Sequence, residues 1–203
     1  MAVKLTKNEQ KLQKDNLKQY ERYLPTLQLK KQQLQLVIRQ IEGEIDLHRR
    51  AQRRLVKEMQ GWIGVYGENP FFEEGRSIES LVQVESVVKS KGNIAGVIIP
   101  VFEELTFARV EYDLVYYPLW VDRGVESLRE YARLDALIAT LAEQILLLHQ
   151  ELRTTSQRVN LFEKVKIPEA KENIRVIGIY LGDQQTAAVV RGKIAKNKLV
   201  GGV

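Results

Sequence analysis

The chain has 203 residues, 44% hydrophobic and 28% charged, with a net charge of +5 at neutral pH; this is the composition of a folded protein that faces water. With no cysteine, disulfides, thiol chemistry and Cys-ligated zinc are excluded, and the lack of cysteine fits a reducing cytoplasm. Residues 1–10 hold no apolar core of signal-peptide length, and the apolar runs 95–102 and 114–121 are too short to span a bilayer, so a soluble chain is expected.

The first residues carry Lys4, Lys7, Lys11, Lys14 and Lys18 three and four apart, which on a helix makes one basic stripe. Pro25 comes next, inside a helical pattern that resumes at once, so a kink is expected and not an end. Stepping alternately by three and four from Leu24 gives Leu27, Lys31, Leu34, Ile38, Ile41, Ile45, His48, Gln52, Leu55, Met59 and Trp62. Nine of these twelve are apolar, which is the seam of a coiled-coil helix. Arg49, Arg50, Arg53 and Arg54 crowd its later turns, but no aromatic residue stands among them. A single-strand nucleic-acid groove would want such aromatics, so nucleic acid is not expected as a partner.

Gly61, Gly64, Gly67 and Asn69-Pro70 break the helix. The next section is enriched in Val, Tyr and Phe. Val82, Val84, Val87 and Val88 predict a strand, residues 89–93 a turn, and residues 94–102 a second strand. Residues 109–117 suggest another extended segment. Asp122 is the expected N-cap of a returning helix.

That helix carries a second seam: Leu134, Ile138, Leu141, Ile145, Leu148, Leu152, Thr155, Val159 and Phe162, eight of nine apolar. It is also apolar beside the seam, at Ala139, Ala142, Leu146 and Leu147. A two-helix seam cannot cover those positions, so the inserted section or a second protein is expected there. Ile167-Pro168 is a second proline in a helical pattern, after which Ile167, Ala170, Ile174, Ile177 and Leu181 restart the seam. With the two prolines opposite each other, paired positions in an antiparallel hairpin would sum to about 193, and Trp62 would face Tyr131. The C-terminus ends on Arg191, Lys193, Lys196 and Lys198, giving a basic tip.

The fold class expected is therefore mainly α. It is a long antiparallel two-helix coiled-coil hairpin with a small α+β head, containing a β-hairpin, inserted between its arms. The divisions are residues 1–62, 63–122 and 123–203. No P-loop, GxSxG, HExxH or EF-hand pattern occurs. His48 and His149 could approach one another in the hairpin but form no evident constellation with carboxylates, so no metal site, cofactor or catalytic residue is expected.

Several stretches resemble the D subunit of the V/A-type rotary ATPases, in the wording of its bacterial members. They are Leu5-Thr6-Lys7-Asn8, Tyr23-Leu24-Pro25-Thr26-Leu27, and above all the block with Arg158, Val159, Asn160, Phe162 and Glu163, then Ile167-Pro168. The resemblance covers both helical arms. It implies a non-catalytic central rotor shaft that transmits torque between an ATP-hydrolysing hexamer and the membrane ring of a proton- or sodium-translocating ATPase or ATP synthase. Implied partners are the catalytic and regulatory hexamer subunits, the small rotor F subunit and a membrane-sector socket subunit. The implied location is cytoplasmic, peripheral to the membrane, without insertion into it. Lys4, Lys7, Lys11, Arg191, Lys193 and Lys196 would then be the hexamer-facing tip, and Ala139, Ala142, Leu146 and Leu147 the seat of the F subunit. The periodicity alone also suits a free coiled-coil chaperone or adaptor.

Overall fold

The computed structural model describes residues 3–62, 64, 78–112, 117 and 120–200. Helix α1 spans Lys7–Gln60, and a 3-10 turn spans Ile78–Leu81. Strands β1 (Val84–Ile94) and β2 (Val97–Phe107) come next. Helix α2 (Val121–Leu161), one π-helical turn (Phe162–Lys166) and α3 (Ile167–Val200) complete the chain. The chain forms two compact units, residues 33–152 and residues 1–32 with 153–203.

In the first of these units the two seams meet in antiparallel order. Leu34, Ile38, Ile41 and Ile45 of α1 form one buried cluster with Leu141 and Leu148 of α2 and Ile99 of β2. Leu34 and Leu148 are wholly buried. Every seam position from Leu34 to Trp62 and from Leu134 to Leu152 is withdrawn from solvent to some degree. Gln52 reaches Asp135 at 3.4 Å, and the Arg123 guanidinium stands 5.9 Å from the Trp62 ring. Trp62 thus faces Arg123, eight residues before the expected Tyr131. The register is set by these side-chain fits and not by alignment of the two prolines.

The β-hairpin packs on this coil through Ile94, Ala95, Val97 and Ile99. The turn expected at residues 89–93 is displaced: those residues lie in β1, and Ala95-Gly96 makes the turn. A two-residue hairpin of type I′ has positive φ at both central positions, as here, where Ala95 has 51° and Gly96 82°. Ala95 is strained there, by roughly 1–2 kcal/mol. Its methyl packs on the coil, and Asn93 Oδ1 accepts the Gly96 N–H at 3.0 Å. Gly92 is required for a different reason: a Cβ there would lie 2.8 Å from Val101. Two polar ties fix the hairpin to α2. Gln144 Nε2 donates to the Pro100 carbonyl at 2.6 Å, and Lys89 pairs with Glu143 at 2.8 Å. The inserted section thus packs beside the seam of α2, and Ala139, Ala142 and Leu146 of the apolar flank remain exposed. A second small core, Leu81 with Val121 and Val125, anchors the start of α2.

Helix α2 begins at Val121, so Asp122 sits in its first turn and is not the cap. Its carboxylate accepts the Tyr112 hydroxyl at 2.6 Å. Residues 108–112 form no strand. The rest of the extended segment expected over 109–117, apart from Tyr117, lies outside the described residues, as do Gly67 and Asn69-Pro70.

In the second unit, Thr6 caps α1 by accepting the Glu9 N–H at 3.2 Å, and α1 passes through Pro25 unbroken. The return arm treats its proline differently. Phe162–Lys166 is a π turn closed by the Ile167 N–H on the Phe162 carbonyl. The seam explains the extra residue. From Phe162 the alternating step would next fall on Lys166, yet the buried face resumes at Ile167 and Ala170. One wide turn absorbs that one-residue skip, and opening the ladder there gives the Pro168 ring room.

Candidate interaction surfaces

Three exposed regions can meet other molecules. The first is the end of α3 in the unit of residues 1–32 and 153–203. Lys7 and Gln10 line a groove of about 490 Å³ with Gly178, Leu181, Gly182 and Gln185. Gly178 permits this approach, since a Cβ there would come within 3.4 Å of Gln10. Antiparallel counting from this contact puts Arg191 and the residues after it beyond the start of α1. From Gly182 to Val200 every residue is exposed, among them Val189, Val190, Ile194 and Leu199. Lys4, Lys7, Lys11, Arg191, Lys193 and Lys196 are all exposed. They occupy one end of this unit, but the three C-terminal cations stand further out along α3 than the lysines of α1. The tip is apolar as well as basic, with Val189 and Val190 exposed.

The second region is the outer face of α2. Ala139, Ala142 and Leu146 share one exposed stripe, Leu146 being 67% exposed. Leu147, one residue and about 100° further round the helix, is half-buried. Beside Ala142 lies a shallow groove of about 450 Å³ lined by Glu42, Ile45, Asp46, Arg49 and Ile145. An apolar stripe with a charged lip suits a protein partner better than a small molecule.

The third region lies where β2 ends against α2. Arg129 and Arg133, one helical turn apart, both stand over the Phe107 ring, at 5.6 and 5.5 Å from its centroid. Arg129 Nε is buried without a hydrogen-bond partner. Nearby, the Tyr112 phenol is pushed above its ordinary pKa, first by its hydrogen bond to Asp122, then by burial and the Asp122 charge, with Arg129 opposing. Tyr117 packs edge-on against Tyr112 at 5.7 Å.

The block around Phe162 is structural. Val159 is buried, and Phe162 meets the Tyr20 ring at 5.3 Å. Arg158, Asn160, Glu163, Pro168 and Pro25 are exposed. Glu21 pairs with Lys171 at 3.2 Å across the two arms. Among the described residues no group of three or more His, Asp or Glu side chains could hold a metal ion, and no helix is long and apolar enough to cross a membrane.

Two antiparallel seamed arms, an inserted β-hairpin and the Phe162 block coincide with a match over residues 9–197 to the family of the ATP synthase D subunit. The chain belongs to that family. It is 52% identical over 199 residues to the V-type ATP synthase D subunit of Borreliella burgdorferi, covering 98% of this chain and 95% of that one. It is 34% identical to the protein of the same description from Chlamydia caviae, with 97% and 93% covered. The Chlamydia muridarum protein is 32% identical over 97% and 96%. Near-complete coverage of these relatives means that both arms and the insert belong to the family pattern, and the chain is accordingly an ATP synthase subunit.

Proposed function

We propose that the chain is the non-catalytic central rotor shaft of a V/A-type ATPase or ATP synthase. It carries torque between the ATP-hydrolysing hexamer and a membrane ring that moves protons or sodium ions. The observation that carries this reading is the bare end of α3. An isolated helix of such length is marginal in water, and this one exposes valine, isoleucine and leucine around its circumference. It is built to be surrounded.

The hexamer, with its catalytic and regulatory subunits, would surround it. Lys4, Lys7, Lys11, Arg191, Lys193 and Lys196 meet the inner collar, where hydrated, mobile cations suit a contact that slides. The small rotor F subunit sits on Ala139, Ala142 and Leu146, with Leu147 at the edge of its seat. A membrane-sector socket subunit receives the end bearing the head, residues 63–122, which is a division distinct from the arms 1–62 and 123–203. The complex is held at the cytoplasmic side of a membrane, and this chain is peripheral to it. Torque needs a seam that resists twisting, and the buried face at Val159, Ala170 and Ile177 supports that role on the return arm. Rotation then stabilises successive hexamer conformations by differential contact.

The test is a pull-down of tagged chain from its native membranes. Hexamer subunits and the F subunit in fixed proportion, with ATPase activity in the eluate, are the expected result. Recovery of the chain alone or with unfolded clients would favour a free chaperone or adaptor.

A further inference from the structure

We infer that Arg129 and Arg133, standing over Phe107, form a receptor for the carboxylate of an acidic side chain on a partner protein of the complex. The inference rests on the reading of the chain as part of a rotary ATPase. Two guanidinium groups at i and i+4 repel each other, yet both stand against one ring, at 5.6 and 5.5 Å. The face of an aromatic ring attracts cations, so Phe107 holds the two charges together. No ion pair to either arginine is formed among the described residues. Asp122, in the first turn of the same helix, is taken by the Tyr112 hydroxyl at 2.6 Å. Arg129 Nε is withdrawn from water with no acceptor, so within the pair it is the exposed Arg133 that a partner can reach.

The shape of the site favours one occupant. The N–H fork of an exposed guanidinium such as Arg133 matches the two oxygens of a carboxylate. Paired arginines beside an aromatic ring are also the residue types that dominate binding energy at protein interfaces. An aspartate or glutamate beside the exposed Arg133 would relieve the repulsion between the two cations.

The experiment places a photo-crosslinking amino acid at position 133 of the tagged full-length chain in native membranes and sequences the crosslinked peptides. It is paired with quantitative pull-downs of R129Q/R133Q and of the exposed single variant R133Q. A crosslink within a few residues of an Asp or Glu on another protein of the ATPase is expected. R129Q/R133Q should lose that one protein at least tenfold while hexamer subunits stay in proportion, and R133Q should lose it more readily as salt is raised. R129K/R133K, which keeps the charge without the fork, should rescue only part of the loss. Crosslinks confined to this chain, to a nucleic acid or lipid, or to a peptide without carboxylates would overturn the receptor. So would unchanged subunit ratios in R133Q at every salt concentration. If the wild-type chain itself brings down no other ATPase protein, the shaft reading has failed instead.

Discussion

The coil between Leu34 and Ile45 of α1 and the last turns of α3 are both helical, both carry aliphatic side chains, and differ in one respect. In the first, the aliphatic residues sit on one face against α2 and β2, with Leu34 and Leu148 wholly buried. In the second, Val189, Val190, Ile194 and Leu199 are open to solvent. The same residue types therefore stabilise the fold in one place and stand open in the other, where the proposed hexamer contact would cover them. Burial, not hydrophobicity, separates a core residue from a contact residue.

Substitutions can test this contrast. Leu148→Ala, in the covered coil, should cost about 2–5 kcal/mol, read as a lower denaturant midpoint for the isolated chain. V189S/I194S at the bare end should move that midpoint by less than about 0.5 kcal/mol and yet reduce recovery of hexamer subunits several-fold. If the second variant unfolds the chain, the end is part of the core and the contrast is wrong. L146E/L147E should abolish co-purification of the F subunit with helix content near that of the wild type. Its retention would remove the α2 stripe from the interface. Leu147 is half-buried, so the single variant L146E, at the exposed position, is the cleaner of the two.

Smaller effects refine the contrast within the covered unit. Gln144→Ala removes the donor to the Pro100 carbonyl and should cost about 1–3 kcal/mol, with hydrogen exchange rising first in β2. Weakest is a pH effect at Tyr112. Its phenol is raised above its ordinary value, chiefly by the hydrogen bond to Asp122, so the folded state holds the proton more tightly than the unfolded chain. The resulting stabilisation is complete below the unfolded value, about pH 10, and is lost as pH rises through the folded one. Tyr112→Phe should therefore lower the neutral stability slightly and flatten its alkaline fall, as melting curves from neutral through the alkaline range would show. The phenol is half-buried and its partner Asp122 is exposed, which keeps the effect small.

The seams are legible in the sequence because a 3.5-residue period survives single exceptions: Lys31, His48, Gln52 and Thr155 interrupt the pattern, and each is still turned inward. The hairpin is legible as two strands, but the place of its turn is not. Lys-Ser-Lys-Gly-Asn has turn composition, whereas Ala95 at positive φ has none, and only contact with the coil makes it tolerable. The register between the arms depends on fits such as Gln52 with Asp135 and Arg123 with Trp62, which pair residues far apart in the chain. The arginine pair on Phe107 is invisible for the same reason, since nothing local ties residue 107 to residues 129 and 133. The candidate tip reads as basic because lysines at helical spacing form a pattern, while its valines declare their exposure only once the end of α1 is placed.

The π turn at Phe162–Lys166 has a consequence for chain length. A wide turn is how a helix accommodates one supernumerary residue without rotating the turns beyond it. The buried face before it, ending at Val159 and Phe162, and the one after it, starting at Ile167 and Ala170, are already aligned. Removing the exposed Val165 while replacing Pro168 by alanine would therefore restore an ordinary helix with both faces unmoved. Removing a single residue within either buried face, between Leu134 and Leu181, would instead swing part of that face by about 100°. This turn is thus the place in that arm where relatives can differ by one residue and still share the same seam.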